Sequence, residues 1–246
     1  MDRSLYIAMS GAKQTLMAQT ANANNLANAQ TTGFKSDWEQ FRSMPVFGPG
    51  FPTRAYALTE RPGTDFTQGP LQTTGRDLDI AIKGEGYLAV QGPDGKEAYT
   101  RAGDLQITPE GFLKTGTGLS VIGQGGPISI PPAQKVEIGS DGTISIVPLG
   151  ANPTNIAVID RLKLVKPAAN NIEKLKDGLV HVKDGQAQVA NANVTVAQGV
   201  LEGSNVNSIY ALVEMIDLQR HFELQTKVMS NVDENSARST KLMQIA

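Results

Sequence analysis

The chain has 246 residues, 22 basic and 24 acidic side chains, a net charge of −2 and no cysteine. That length can bury a sizeable core in one large domain or two smaller ones. The near-neutral balance excludes the basic footprint of a nucleic-acid binder, and the missing thiols exclude disulfides, cysteine nucleophiles and thiolate metal sites.

The first segment predicts a helix over 4–29. Leu5, Met9, Ala12, Leu16, Gln19, Ala23 and Leu26 recur at alternating gaps of four and three, which sets them on one narrow seam. Within residues 1–34 only Asp2, Arg3 and Lys13 are charged. A membrane-surface helix carries a Lys/Arg-rich polar face, so membrane insertion is disfavoured. Asn22, Asn24, Asn25 and Asn28 crowd the last turns. They read either as a fraying helix end or as amides that bond to neighbouring chains. Gly33 fits a C-terminal position that needs positive φ. The apolar run from Leu5 to Met9 is shorter than the roughly 7–15 residues of a signal-peptide core, and no stretch approaches the about 20 apolar residues of a membrane span.

Residues 35–75 read as an extended connecting segment. Pro45, Pro49, Pro52, Pro62 and Pro70, with Gly48, Gly50, Gly63 and Gly69, rule out a long helix. Trp38, Phe41, Phe47, Phe51, Tyr56 and Phe66 are interleaved with them, and a flexible linker lacks such aromatics. The segment is therefore expected to pack along its own helices or a neighbour.

Residues 76–200 read as a β domain. Leu78, Ile80 and Ile82 alternate with polar or small residues, and Tyr87 to Val90 continue after Gly84-Glu85-Gly86. Further runs are Gly118 to Ile122, Ile128 to Ile130, Val136 to Ile138, Thr143 to Val147, Ile156 to Val165 and Leu179 to Val182. Asp94-Gly95, Asp141-Gly142, Asp177-Gly178 and Asp184-Gly185 are turn signals between them. Short strands at this spacing predict an antiparallel sandwich or barrel-like domain. Residues 201–207 form a Gly/Ser/Asn hinge that must turn the chain into the closing helix; if Gly203 takes positive φ there, a β-branched replacement is badly accommodated. Ser208 is the expected N-cap of a closing helix over about 209–243. Its seam runs through Met215, Leu218, Phe222, Gln225, Met229, Val232, Ser236, Ser239 and Met243.

The sequence thus divides into an N-terminal helix (1–34), a connecting segment (35–75), a central β domain (76–200) and a hinge with a C-terminal helix that pairs with the first (201–246). The fold class is α+β, with long terminal helices forming a coiled-coil-like layer around a central antiparallel all-β domain. Both seams carry polar or small residues where a self-contained coiled coil wants Leu or Ile. Helices of that kind are marginal alone and are completed either by the β domain or by neighbouring subunits.

Chemistry is hard to find. His181 and His221 are the only histidines, and neither belongs to a metal-ligand pair. Asp77 and Asp79 could flank a site on one strand, but beside Arg76 they fit a solvated or salt-bridged role. Gly84-Glu85-Gly86 lacks the rest of a dinucleotide fingerprint, and Gly123-Gln124-Gly125-Gly126-Pro127 lacks the Lys and Ser/Thr of a phosphate loop. No nucleophile, base and oxyanion set emerges, so the chain does not read as an enzyme and calls for no cofactor or metal.

Three stretches resemble one family. Asn24-Asn25-Leu26-Ala27-Asn28-Ala29-Gln30-Thr31-Thr32-Gly33-Phe34-Lys35 resembles the N-terminal motif of the flagellar rod and hook proteins. Gly199-Val200-Leu201-Glu202-Gly203-Ser204-Asn205-Val206-Asn207 resembles their C-terminal motif. Arg76 to Ile82, Gly84 to Tyr87, Tyr99-Thr100-Arg101-Ala102-Gly103 and Gly111-Phe112-Leu113 resemble their shared β segment. The opening Met1-Asp2-Arg3, followed by Tyr6 and Ala8-Met9-Ser10-Gly11-Ala12, is closest to the proximal-rod members. The resemblance implies a structural subunit, exported unfolded by the flagellar type III apparatus without a cleaved signal. It implies polymerisation in the periplasm with copies of itself and other rod proteins into the basal-body drive shaft. The implied assembly residues are Asn24, Asn25, Leu26, Ala27, Asn28, Thr31, Gly33, Phe34 and Lys35, with Gly203, Asn205, Met215, Leu218, Phe222, Met229 and Val232 at the other end. The alternatives are a distal-rod or hook-family paralogue and, in a different class, a cell-wall carbohydrate-binding β protein. The last would need an aromatic platform or a carboxylate pair, and the β insert offers only Tyr87, Tyr99 and Phe112 as aromatics.

Overall fold

A computed structural model describes residues 4–45, 55–150 and 155–245. Met1, Asp2 and Arg3, and Phe47 to Pro52 in the connecting segment, lie outside the described residues. Two compact units share the chain. Unit 1 takes Met1–Ala29, Ser36–Asp65 and Val206–Ala246, and unit 2 takes Gln30–Lys35 and Phe66–Asn205.

Unit 1 contains helix α1 (Ser4–Ala27), strands β1 (Asp37–Pro45) and β2 (Ala55–Thr64), and helix α2 (Ser208–Ile245). The helices pack antiparallel: Asn22 meets Ala211 near one end, and Gly11 lies against Gln225 further along. The buried face of α1 is Ala8, Ala12, Thr15, Ala18 and Asn22. This corrects the expected seam, because Leu5, Met9 and Leu16 are exposed. The cause is close approach. Where the helices meet, the buried positions of α1 are mostly the small residues Ala8, Ala12, Thr15 and Ala18, which let the backbones come close, and the long side chains turn outward.

On α2 the expected spacing coincides with burial. Ala211 and Leu218 are buried, and Met215, Phe222, Gln225, Met229 and Val232 are half-buried. Ser236, Ser239 and Met243 are exposed, so the packed face ends at Val232. The helix is capped one residue earlier than expected. The Asn207 side-chain oxygen accepts from the Ile209 and Tyr210 amides, both at 3.1 Å, which satisfies two otherwise orphan donors.

Within 35–75, β1 and β2 pair antiparallel from Asp37↔Thr64 to Pro45↔Ala55, with a bulge between Trp38 and Gln40. The Asn25 side chain fastens this ribbon to α1. It donates to the Asp37 carbonyl (2.8 Å) and accepts from the Asp37 amide (2.9 Å), as a neighbouring strand would. Trp38 and Phe41 are exposed on it.

Among its described residues unit 2 holds fourteen short strands, all antiparallel where paired: β3 (Leu71–Thr73), β4 (Ile80–Lys83), β5 (Tyr87–Gln91), β6 (Glu97–Thr100), β7 (Leu105–Ile107), β8 (Leu113–Thr115), β9 (Ala133–Ile138), β10 (Thr143–Pro148), β11 (Ala157–Arg161), β12 (Leu164–Val165), β13 (Ile172–Lys174), β14 (Val180–Val182), β15 (Thr195–Gln198) and β16 (Val200–Glu202). They form a five-stranded sheet β12-β5-β6-β14-β13, a three-stranded sheet β11-β10-β9, and the pairs β15-β4, β16-β3 and β7-β8. Strand β5 is covered on both faces, which is why Tyr87-Leu88-Ala89-Val90 is a continuous apolar run. Leu88 and Val90 enter the larger core with Leu105, Val121, Ile144 and Leu162. Tyr87 and Ala89 enter a smaller one with Tyr99, Val165 and Val180. The runs Gly118 to Ile122 and Ile128 to Ile130 form only single bridges, such as Val90↔Val121 and Phe112↔Ser129.

Candidate functional site: a buried charge junction

The N-terminal motif is divided between the units. Asn24 to Asn28 lie in unit 1, where the side chains of Asn25 and Asn28 bond within the chain. Asn25 holds Asp37, and Asn28 donates to the Asn24 carbonyl (2.9 Å). The nearby Asn22 is buried and donates to the Ala211 carbonyl (2.7 Å). Leu26 is half-buried, while Asn24 and Ala27 are exposed. The α2 residues Met215, Leu218, Phe222, Met229 and Val232 share the inner face described above.

Thr31 to Lys35 belong to unit 2, where Gly33-Phe34-Lys35 meets the C-terminal motif. Glu202 is completely buried. Its Oε1 accepts from Lys35 Nζ (2.7 Å) and from the Gly69 amide (3.1 Å), and its Oε2 faces Arg101 Nη1 at 3.1 Å. Lys35 and Arg101 are themselves buried. Arg101 also donates to the Gly86 carbonyl (3.0 Å) and to the Gly84 carbonyl. Lys35 Nζ donates to the Thr67 carbonyl. Two cations therefore share one carboxylate, and each has backbone carbonyls to complete its shell, as a buried charge requires.

The backbone is stitched to match. The Gly33 amide donates to the Glu202 carbonyl (2.8 Å), and the Gly203 amide to the Pro70 carbonyl (2.8 Å). The Asn205 amide donates to the Phe34 carbonyl (3.3 Å), and its side chain reaches Thr67. Lys174 Nζ donates to the Lys35 carbonyl (2.7 Å) and sits 3.9 Å from the Phe34 ring centre, a cation–π contact. Gly33 has the expected positive φ, +67°, but it serves a backbone crossing rather than a helix cap, since α1 has ended at Ala27. Gly203 does not have positive φ. The reason for glycine in this stretch lies at Gly69, where an added Cβ would fall 2.1 Å from the Gly203 carbonyl oxygen.

Arg101 Cζ lies 5.7 Å from the Tyr87 ring centre. Burial pushes the Tyr87 phenol up to about 12, against the opposing pull of Arg101. Tyr99 is raised as well, chiefly by burial. It donates to Glu97 and accepts from the Gln188 amide, both at 2.9 Å. Neither tyrosine is available as a surface platform.

The aspartates near Arg76 are structural. Asp79 is buried, accepts from Thr74 Oγ1 (2.7 Å) and lies 3.6 Å from Arg76 Nη1. Asp104 bridges it across the strands, and burial, with the Asp79 charge adding to it, raises the Asp104 carboxyl above its ordinary range. His181 Nε2 is 2.9 Å from Asp177. Among the described residues no group of three or more His, Cys, Asp or Glu side chains could hold a metal ion, and no helix is long and apolar enough to cross a membrane.

The sequence signal for this junction was present only as motifs. Lys35 and Glu202 are 167 residues apart, and nothing local marks them as partners.

Comparison with known proteins gives one consistent answer. Residues 5–35 match the flagella basal body rod protein family, residues 81–146 the flagellar hook protein FlgE/F/G D1 domain, and residues 197–242 the flagellar basal body rod FlgEFG protein C-terminal family. Over the whole of both chains, the sequence is 42% identical to flagellar basal-body rod protein FlgF of Salmonella typhimurium and 41% identical to that of Escherichia coli. It is 34% identical to flagellar basal-body rod protein FlgG of Bacillus subtilis, over 94% of this chain and 96% of that one.

Proposed function

This chain belongs to the flagellar basal-body rod protein family, and from that premise we propose that it is a subunit of the proximal rod. It polymerises with copies of itself and other rod proteins into the periplasmic shaft that carries torque from motor to hook. It reaches that place through the flagellar type III export apparatus without a cleaved signal. The observation that carries the reading is the full-length similarity to rod proteins named FlgF.

Unit 1 supplies a physical rationale for assembly. With its packed face turned inward, α1 still exposes Leu5, Tyr6, Met9, Leu16 and Met17, and α2 exposes Ile209, Tyr210, Leu212, Val213 and Ile216. This many large exposed apolar side chains on two paired helices are candidates for contacts with neighbouring subunits. Head-to-tail contacts that do not close give helical filaments. In this reading the terminal helices form the inner layer of the tube, with Met215, Phe222, Met229 and Val232 holding the helix pair together within each subunit and the exposed apolar residues meeting neighbouring subunits.

The test is deletion of the gene in its own motile bacterium, with basal bodies purified and probed for the protein. Loss of swimming, rods that end below the hook and recovery by the intact gene are expected. Complete, hook-bearing basal bodies in the deletion strain would overturn the proposal.

A further inference from the structure

Asp79 and Asp104 stand opposite each other in an isolated antiparallel bridge within unit 2. Side chains at such positions share a face, with Cβ atoms about 4.5–5.5 Å apart. Each carboxylate is satisfied on one oxygen only. Asp79 is buried, and its Oδ2 accepts from Thr74 Oγ1 (2.7 Å). The Asp104 carboxylate accepts from the backbone amides of Asp104 and Gly116. Gly116 leaves room for it, since a side chain there would overlap Asp104 Oδ2. The remaining oxygens, Oδ1 of each residue, are buried and have no hydrogen-bond partner among the described residues. Arg76 Nη1 lies 3.6 Å from Asp79 Oδ1, too far to donate, and Arg76 Nη2 donates instead to the Leu105 carbonyl. Asp79 and Arg76 are the charged groups acting on Asp104. The other segments packed there, Thr74-Gly75, Thr115 to Gly118 and Gln198-Gly199, carry no charged side chain.

We propose that Asp79 and Asp104 are a proton-sharing carboxyl pair, a pH-sensitive clasp between the segments that lead into β4 and β7. With one proton bound, the Asp104 carboxyl donates through Oδ1 to Asp79 Oδ1, and a single bond satisfies both lone oxygens. With none bound, two carboxylates face each other out of water, and like charges directly opposite repel. Burial, with the Asp79 charge adding to it, disfavours the ionised Asp104, which is the direction the clasp requires. Folding therefore takes up a proton. The folded pair keeps it at a pH where the unfolded carboxyls have lost theirs. The contribution of the clasp is full below the ordinary carboxyl value and is lost as the pH rises through the folded value, by up to about tenfold in the folding constant per pH unit. The clasp concerns a single chain and does not depend on the rod reading.

The experiment is a pH titration of the full chain, labelled with carbon-13 at the aspartate carboxyls and followed by NMR, for the intact protein, Asp79→Asn and Asp104→Asn. In the intact protein both carboxyls should respond in two steps common to the pair, the upper one above the ordinary aspartate value. Asp79→Asn removes the second charge and supplies an amide donor, so the acid dissociation constant of Asp104 should rise at least tenfold. Asp104→Asn keeps a donor opposite Asp79, which should then titrate in one step without the upper one. An Asp104 titration unchanged by Asp79→Asn would overturn the proposal, because burial alone would then set it. Intact-protein curves with no step in common would overturn it equally, and they decide the matter even where a variant fails to fold.

Discussion

Gly33→Ala should destabilise unit 2 for two separable reasons. The residue has φ +67°, and an added Cβ would lie 2.3 Å from the Arg101 carbonyl carbon, 2.4 Å from the Ala102 nitrogen and 2.7 Å from the Arg101 oxygen. The left-handed conformation costs an L-residue about 1–2 kcal/mol. The contacts are with backbone, so no side chain can swing aside, and overpacking of this kind adds about 1–3 kcal/mol. Gly75 provides the control. Its φ is +72°, yet nothing lies within 4 Å of the added Cβ, so Gly75→Ala should carry the conformational cost alone. Urea unfolding followed by near-ultraviolet circular dichroism reads the packed Tyr87 and Tyr99 in the smaller core of unit 2. With a slope of about 1–3 kcal/mol per molar, Gly33→Ala should unfold about 1 M earlier than Gly75→Ala. Coincident midpoints for the two variants would refute the claim that the Gly33 crossing is closed by contact with Arg101.

Other substitutions probe unit 1 and the buried carboxyl. Gly11→Ala meets only the end of the flexible Gln225 side chain, so the helix propensity gained should leave α1 unchanged or up to about 1 kcal/mol more stable, whereas Ala18→Leu should cost about 1–3 kcal/mol; thermal melts of the helical signal compare the two. Asn207→Ala removes the α2 cap and should cost about 1 kcal/mol, seen as faster exchange in the first turn of that helix and unaltered exchange in β5. The raised carboxyl of Asp104 means that its ionised form is disfavoured in the folded state. That penalty is present in full at neutral pH and is relieved as the pH falls through the folded value towards the ordinary one. Asp104→Asn should therefore stabilise the protein at pH 7 by an amount that shrinks on acidification, and a gain independent of pH in urea titrations would contradict this.

The sequence carried the repeating elements well and the pairings between distant ones poorly. The helix expected over 4–29 is Ser4–Ala27, and the closing helix expected over about 209–243 is Ser208–Ile245. The Asp-Gly signals hold because Gly95, Gly142, Gly178 and Gly185 all take positive φ. The seam of α1 was misplaced because large apolar residues were assumed to face inward, whereas a close helix crossing selects Ala8, Ala12 and Ala18. The β1–β2 ribbon was hidden by the prolines that break helices, which also tolerate edge strands. Short strands such as β6 and β13 carry too few residues to show a period, and their membership depends on the neighbours they meet in the five-stranded sheet. The charge junction was legible only as three motifs of one family. Their meeting at Glu202 is a property of the folded chain.

The order of strands in unit 2 has a kinetic consequence. Strands β3 and β4, the first in sequence, take as partners β16 and β15, the last. Gly69 and Glu202 are 133 residues apart when they meet. Contacts of such long sequence separation reward the chain only after a large loop has closed, so folding belongs to the slow end of single-domain rates, in milliseconds to seconds. Doubling that loop adds only about 0.6 kcal/mol, which makes an insertion in the exposed stretch 168–170 between β12 and β13 thermodynamically mild. The delay is the greater burden. A chain released from its N-terminal end first leaves Ile80 and Ile82 uncovered until Val196 arrives, and that interval exposes an unpaired apolar strand edge of the kind that aggregates.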